Sequence, residues 1–509
     1  MTINAEVPVA AARGGPVAGA GGHGQQEAEG TTSGADLVLP LVALGGVGVL
    51  AGYGYVRRTR RARTRTTPGV GVGAGVVSTQ PPVTPLPVLE RQAGAALVQA
   101  DDCLRTSREE LAFAEARFGA AAVEPFVRAL RDAERELSAA FAIRLRYDRG
   151  VPEPKEEAAR RQALAGIVGR CAEAGRRLDA EAPAFDQLRA LEREMNEALG
   201  IAETRFRELA ARTGSVDATL TDLHARYPAP AASTATTTVT GYVEQAKDRL
   251  VFATTHLNQG RQAADLGHTG EAVRSLRAAE GAISQADVLL NDIDRLANSL
   301  ATAAELVPAT LTGAESHIAR ATARTTDTAA SATGPLHTHL THAHTTLAAV
   351  REELTGDRNH AHDHAHSHDP LDALRRIVQA MLPLGGARDG VLGAAAWLVT
   401  RNDVGSADGF VATHRGAVGV EARTRLAEAE LLLNTDPASA DEPALEAREL
   451  AEQDVRVHGN PYAGTADEHT SGVGGAVLGG ILLGEDPDGG PPLTFGGPAT
   501  RKRRALPPT

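Results

Sequence analysis

Residues Leu37 to Val56, LVLPLVALGGVGVLAGYGYV, run for twenty positions without a charge, and RRTRRARTR follows at once, setting six arginines between Arg57 and Arg65. At about 1.5 Å rise per residue, twenty residues reach roughly 30 Å, the thickness of a bilayer's hydrocarbon core, so the pattern predicts one membrane-spanning helix. The basic flank, led by Arg57, Arg58, Arg60 and Arg61, lies on the C-terminal side, whereas the thirty-six residues ahead of Leu37 hold Arg13 as their one basic side chain. By the positive-inside rule the N-terminus faces out, and everything after Arg57 lies on the cytoplasmic side of a plasma membrane. Tyr53 and Tyr55 sit where interfacial aromatics anchor a retained span. Gly48 and Gly52 form a GxxxG step that would let two copies approach closely.

Beyond the span, composition argues for helices. Aromatics are 3% of residues and there is one Trp, which suits Ala-rich helices with narrow apolar faces better than a sheet-based core. The net charge of −12 disfavours nucleic acid as a partner. Two cysteines, Cys103 and Cys171, both fall in helical patterns and read as small packing residues rather than a disulfide framework. The expected organisation is a disordered extracytoplasmic tail (1–36), the span (37–56), a basic Pro/Gly-rich linker (57–87), a helical bundle (88–227), a linker (228–240), a coiled-coil hairpin with its linker (241–334), a His-rich segment (335–369), C-terminal helices (370–458) and a Gly-rich disordered tail (459–509). The fold class is mainly α: one transmembrane helix, then an elongated bundle with antiparallel coiled-coil hairpins.

The clearest periodicity is Ala272, Leu276, Ala279, Ile283, Ala286, Leu290, Ile293, Ala297, Leu300 and Ala304, every step three or four residues. It predicts a coiled-coil seam of more than four heptads, ended by Pro308 and preceded by a shorter helix through the turn LGHTG. Two further spacings matter. Phe126, Leu130, Ala133, Leu137 and Ala140 describe one amphipathic helix, and Leu188, Leu191, Met195, Ala198, Ala202 and Leu209 describe another. Near the C-terminus, Asp369 and Pro370 read as cap and first position of a helix, and a last pair runs from Val391 to Leu433 and Pro443 to Val457, with DPASADEP between them.

Chemistry-bearing motifs are few. Nine of the seventeen histidines fall in two runs, His337, His339, His342 and His344, then His360, His362, His364, His366 and His368. In an extended segment, alternate imidazoles project to one side, so the second run is a candidate site for zinc, nickel or copper. No Walker loop or nucleophile elbow is present, and the expectation is a protein without catalysis or cofactor of its own. The run GVGGAVLGGILLG, Gly472 to Gly484, is too short to cross a bilayer.

The span with its flank, together with QAKDRLVFATTHLNQGRQA, FVATHRGAVGVEARTRLAEAE, LAEQDVRVHGNPY and GGAVLGGILLG, resembles the C-terminal part of actinobacterial TPM-domain proteins. The resemblance runs from about Leu37 to Gly484, and implies a secreted TPM domain, one membrane helix, a cytoplasmic helical region and a Gly-rich tail. Met1 to Asp36 is too short to fold as a TPM domain, so the activity of that domain is not carried over, and an upstream start is the other way to read the front of this chain. The His runs and the ending RKRRALPPT also depart from the family. The reading is therefore a single-pass, membrane-anchored scaffold or interaction protein of the cell envelope. Its partners would be the bilayer, a second copy through the coiled coil of Leu276, Ile283, Leu290, Ile293 and Leu300, and a protein partner without a name. The rival reading is a His-rich protein that buffers or delivers a transition metal.

Overall fold

A computed structural model describes residues 84–227, 236, 238–326, 334–359, 369–386, 390–458 and 494–505. The predicted span, its arginines and the second His run lie outside these residues, and among the described residues no helix is long and apolar enough to cross a membrane. Every regular element described is helical: α1 Leu86–Phe118, α2 Ala120–Asp148, α3 Glu157–Arg189, α4 Met195–Arg226, α5 Tyr242–Asp265, α6 Thr269–Thr326, α7 Gly334–Asn359, α8 Pro370–Met381, α9 Gly390–Thr413, α10 Val420–Leu433, α11 Pro437–Val457 and α12 Pro498–Ala505.

The helices bury narrow stripes into three apolar clusters. The first joins α1, α2 and α3, where Leu97, Phe126, Leu137, Leu164 and Phe185 meet. The second is built from α4 to α8 and the first half of α9. The third holds the second half of α9 with α10 and α11, lined by Val411, Ala422, Leu426, Ala447 and Ala451. The linker at 228–240 is thus not the packing boundary: the break falls at residues 190–194, where Ala190 turns left-handed at φ 43° between α3 and α4. The pattern from Leu188 to Leu209 is two helices, and its apolar positions belong to the second cluster from Leu191 onward.

Antiparallel α5 and α6 form the expected hairpin through the Leu266 to His268 turn. Leu276, Ile283, Leu290, Ile293 and Leu300 are all buried at 2% exposure or less, and their partners lie within this chain. The seam is therefore filled intramolecularly. Ala304 is exposed, and burial passes instead to Ala303, Val307, Leu311, Ala314 and Ile318. The physical reason is that α5 has 24 residues and ends, so the distal part of α6 packs on α7, α8 and α9 and turns another face inward. Pro308 does not end α6; one lost amide bond is outweighed by the buried side chains on either side.

Other boundaries also shift. The first His run lies on α7, whose Leu340, Ala343, Leu347 and Val350 face the core while His337, His339, His342 and His344 are exposed. Asp369 caps α8 as predicted, accepting from the amides of Leu371 at 2.8 Å and Asp372 at 3.4 Å. The stretch from Val391 to Leu433 breaks at residues 414–419 into α9 and α10, and α11 starts at Pro437, inside the expected connection. The expectation of a disordered tail does not hold for residues 494–505, because Phe495 is fully buried in the first cluster.

Candidate functional site

The second His run, like Leu37, Gly48, Gly52, Val56 and the arginines Arg57, Arg58, Arg60 and Arg61, lies outside the described residues. On α7 the first run falls into two pairs on different faces, His337 with His344 and His339 with His342, so the four imidazoles do not meet at one point. Among the described residues no group of three or more His, Cys, Asp or Glu is arranged to hold a metal ion. Cys103 and Cys171 are unbonded and buried; burial pushes their thiols up, to about 11 and about 12, which makes them inert packing groups at neutral pH.

What the structure does bring together is charge, at the joints between the three clusters. Between the first and second, Arg189 donates to both carboxylate oxygens of Glu280 at 2.8 and 2.7 Å, with Arg277 and Glu110 beside them at 3.3 Å. Between the second and third, Arg375 holds Asp403 at 2.5 Å and Asp441 at 3.2 Å, and Arg448 donates to the Tyr242 hydroxyl at 3.0 Å. Between the first and third, fully buried Arg423 reaches Asp101 and, at 2.8 Å, Asp102, and donates to the carbonyls of Arg415 and Val418. Arg415 pairs with Glu109 at 2.8 Å and Arg105 bridges Asp101 at 3.0 Å and Asp408 at 2.7 Å.

That last joint opens into a cleft of about 780 Å³ between α1, α2, α9 and α10. Residues 101, 105 and 108 lie at steps of four and three on α1, so Asp101, Arg105 and Arg108 line one wall together. Leu137 and Phe141 of α2 and Leu426 and Leu431 of α10 supply apolar surface, and Glu134, Asp408 and Glu430 supply further carboxylates. Leu431 is 58% exposed. Burial pushes the Asp101 carboxyl up, but the Arg105 and Arg423 guanidiniums outweigh it and hold it below the ordinary carboxylate range. Arg105 and Arg108 pull Glu430 the same way but do not prevail. Its enclosure by the cleft walls, with the carboxylates of Asp408 and Asp101 nearby, raises it to about 7, even though its side chain keeps contact with water at the mouth. The cleft therefore offers an apolar floor and fixed ion pairs.

Behind the cleft, Gly405 and Gly409 let α9 pack tightly on α6. A Cβ at 409 would collide with the Asp292 carboxylate, and one at 405 would lie 2.9 Å from Arg295 Nε. Asp292 is paired with Arg295 at 2.5 Å, yet burial still raises it to about 6. Arg249 of α5 is fully buried, its guanidinium has no hydrogen-bond partner among the described residues, and burial lowers it to about 10. His414, stacked on Phe410 with ring centroids 4.2 Å apart, is held to about 4 by burial. Sequence reading missed these residues because an arginine on an Ala-rich helix reads as solvated. A signal existed for Arg423, which sits beside the apolar positions Ala422, Leu426 and Ala429.

These features define a mainly α-helical protein whose described residues form a partly apolar, partly charged cleft and ion pairs at the internal joints. The chain is similar to a UPF0603 protein of Mycobacterium tuberculosis, found in strains CDC 1551 / Oshkosh and ATCC 25618 / H37Rv; in each case it is 28% identical over 450 residues, covering 81% of this chain. The chain spans about 65% of the length of these curated relatives. No family model and no solved structure matches it.

Proposed function

We propose that this chain is a single-pass, plasma-membrane-anchored interaction protein of the cell envelope, with its helical body on the cytoplasmic side and no catalysis of its own. The observation that carries the proposal is the cleft at α1, α2 and α10. Leu137, Phe141, Leu426 and Leu431 supply its apolar surface, and Glu134 and Asp408, paired with Arg108 and Arg105, supply charge of both signs at its walls. That lining suits an amphipathic helical segment with charged residues beside its apolar face. The uncharged run Leu37 to Val56 and its arginine flank would anchor and orient the body, and the likeness to TPM-domain proteins supports the same arrangement of anchor and helical region. Self-association through Leu276, Ile283 and Leu290 is not part of the proposal, since those side chains face their own chain.

The test places a photo-crosslinking phenylalanine at Leu431 of the full chain in an actinobacterial host and follows the chain through carbonate extraction. The expected result is a membrane-retained chain that gives a discrete protein adduct, lost on Leu426→Asp. A chain that extracts into the soluble fraction refutes the anchor, and a retained chain without an adduct refutes the cleft as an interaction site.

A further inference from the structure

The first cluster contains a component that its three helices do not supply. Phe495 inserts between α2 and α3, stacked on Phe185 with centroids 4.4 Å apart and edge-on to Phe126 at 5.8 Å, and no part of its side chain is exposed. The backbone that carries it is read group by group. The Gly496 amide donates to Ser107 Oγ at 3.2 Å. The amides of Gly497, Ala499 and Thr500 donate to the Asp179 carboxylate at 2.9, 3.2 and 2.8 Å, and the Thr500 hydroxyl joins them at 2.6 Å. Asp179 thus caps the first turn of α12 from another helix. Arg501 donates to the Asp102 carbonyl at 2.9 Å. Contact between the two backbones is close enough to demand glycine on both sides. A Cβ at Gly497 would collide with the backbone of Gly175, and one at Gly175 would lie 2.6 Å from Pro498 Cδ.

An aromatic anchor in a pocket and backbone amides read by one carboxylate are elements of peptide recognition, and the glycine pair permits the close backbone approach they require. Thirty-five residues, 459–493, separate this segment from the end of α11, ten of them glycine and four proline. At up to about 3.4 Å per residue, their contour reaches roughly 120 Å, far enough to serve the site of another copy as well as its own.

We propose that α1, α2 and α3 form a peptide-recognition site for a Phe-Gly-Gly-Pro-x-Thr segment, occupied in cis by residues 494–505, and that the site accepts the same segment offered in trans. The tethered segment is a competitor for any such ligand, so a free peptide binds only as far as the tether releases. Gly175 is the receptor-side position to test. A Cβ there would lie 2.6 Å from Pro498 Cδ, so Gly175→Ala closes the seat to the segment in cis and in trans alike, although alanine is the better helix former in the middle of α3.

The experiment uses the full chain and a fluorescein-labelled peptide of residues 491–505, PPLTFGGPATRKRRA, read by anisotropy. Phe495→Ala, which empties the pocket, is expected to bind the peptide at least tenfold more tightly than the unaltered chain. Adding Gly175→Ala to Phe495→Ala is expected to abolish that binding, while Gly175→Ala alone makes the tail arginines cleave faster with trypsin. Equal affinity of the unaltered and Phe495→Ala chains overturns the proposal, as does no binding to a Phe495→Ala chain that keeps its helical circular dichroism. If Phe495→Ala fails to fold, Gly497→Ala takes its place, since it releases the segment and leaves the pocket side chains intact. Failure of both to fold overturns the proposal by making the segment an integral part of the core.

Discussion

At the scale of single residues, the chain keeps titratable groups where an apolar side chain would be expected, and His414 has the simplest consequence. It is 1% exposed, donates from Nδ1 to the Phe410 carbonyl at 3.1 Å, lies 2.9 Å from the Thr413 hydroxyl, and is near the positive charges of Arg249 and Arg448. Burial first, and those charges after it, hold the folded imidazole to about 4, against an ordinary 6.5. The folded state therefore binds the proton less well than the unfolded chain. Stability is full above pH 6.5 and falls as pH drops toward 4, by about 3 kcal/mol at roughly 1.4 kcal/mol per pH unit. His414→Gln, which keeps a polar group there, is expected to flatten that part of the profile in urea titrations at pH 7, 5.5 and 4.5. A loss between pH 7 and 4.5 as steep as that of the unaltered chain would rule the assignment out. None of this was legible beforehand, because the helix expected from Val391 to Leu433 gives no sign of which of its polar side chains is buried.

At the scale of elements, α6 shows how one periodic pattern is used twice. Its first part pairs with α5, and its distal part meets α7, α8 and α9. The sequence pattern of Ala272 to Leu300 identified the buried face, with Ala297 half-buried and Leu289 and Leu296 buried beside it, because a three-four spacing defines one face of a helix whatever covers it. The partner was not legible, because an intramolecular hairpin and an intermolecular coiled coil demand the same spacing. Ile283→Asp with Leu290→Asp separates the two. With both side chains buried at 2% exposure or less, two unpaired carboxylates would exceed the roughly 5–15 kcal/mol that holds a domain together. The expected outcome is loss of helical circular dichroism and aggregation. A folded chain of reduced oligomeric size would instead place the seam between copies.

At the scale of the whole molecule, three modest apolar clusters are joined by buried arginine pairs, and the joints set how the helices are ordered around one another. The Arg189 guanidinium on α3 reaches Glu280 on α6 with both partners about 5% exposed or less. Arg189→Ala would strand Glu280 in the interior, while Glu110 keeps Arg277 at 3.3 Å, and is expected to lower stability by about 3–5 kcal/mol. Adding Glu280→Gln should restore part of that, because the stranded charge is the larger cost. Urea unfolding of the two single variants and the double variant measures the coupling, and a coupling near zero would show the joint to be incidental. The sequence by itself determined that the described part of this chain is helical and which apolar faces are buried, since both follow from local spacing. Only the tertiary structure decided which helix covers each face, where the clusters divide, that arginines close the joints, and that Phe495 returns to α2 and α3. Those outcomes depend on contacts between residues as far apart as Ser107 and Gly496, and local periodicity carries no information about such partners.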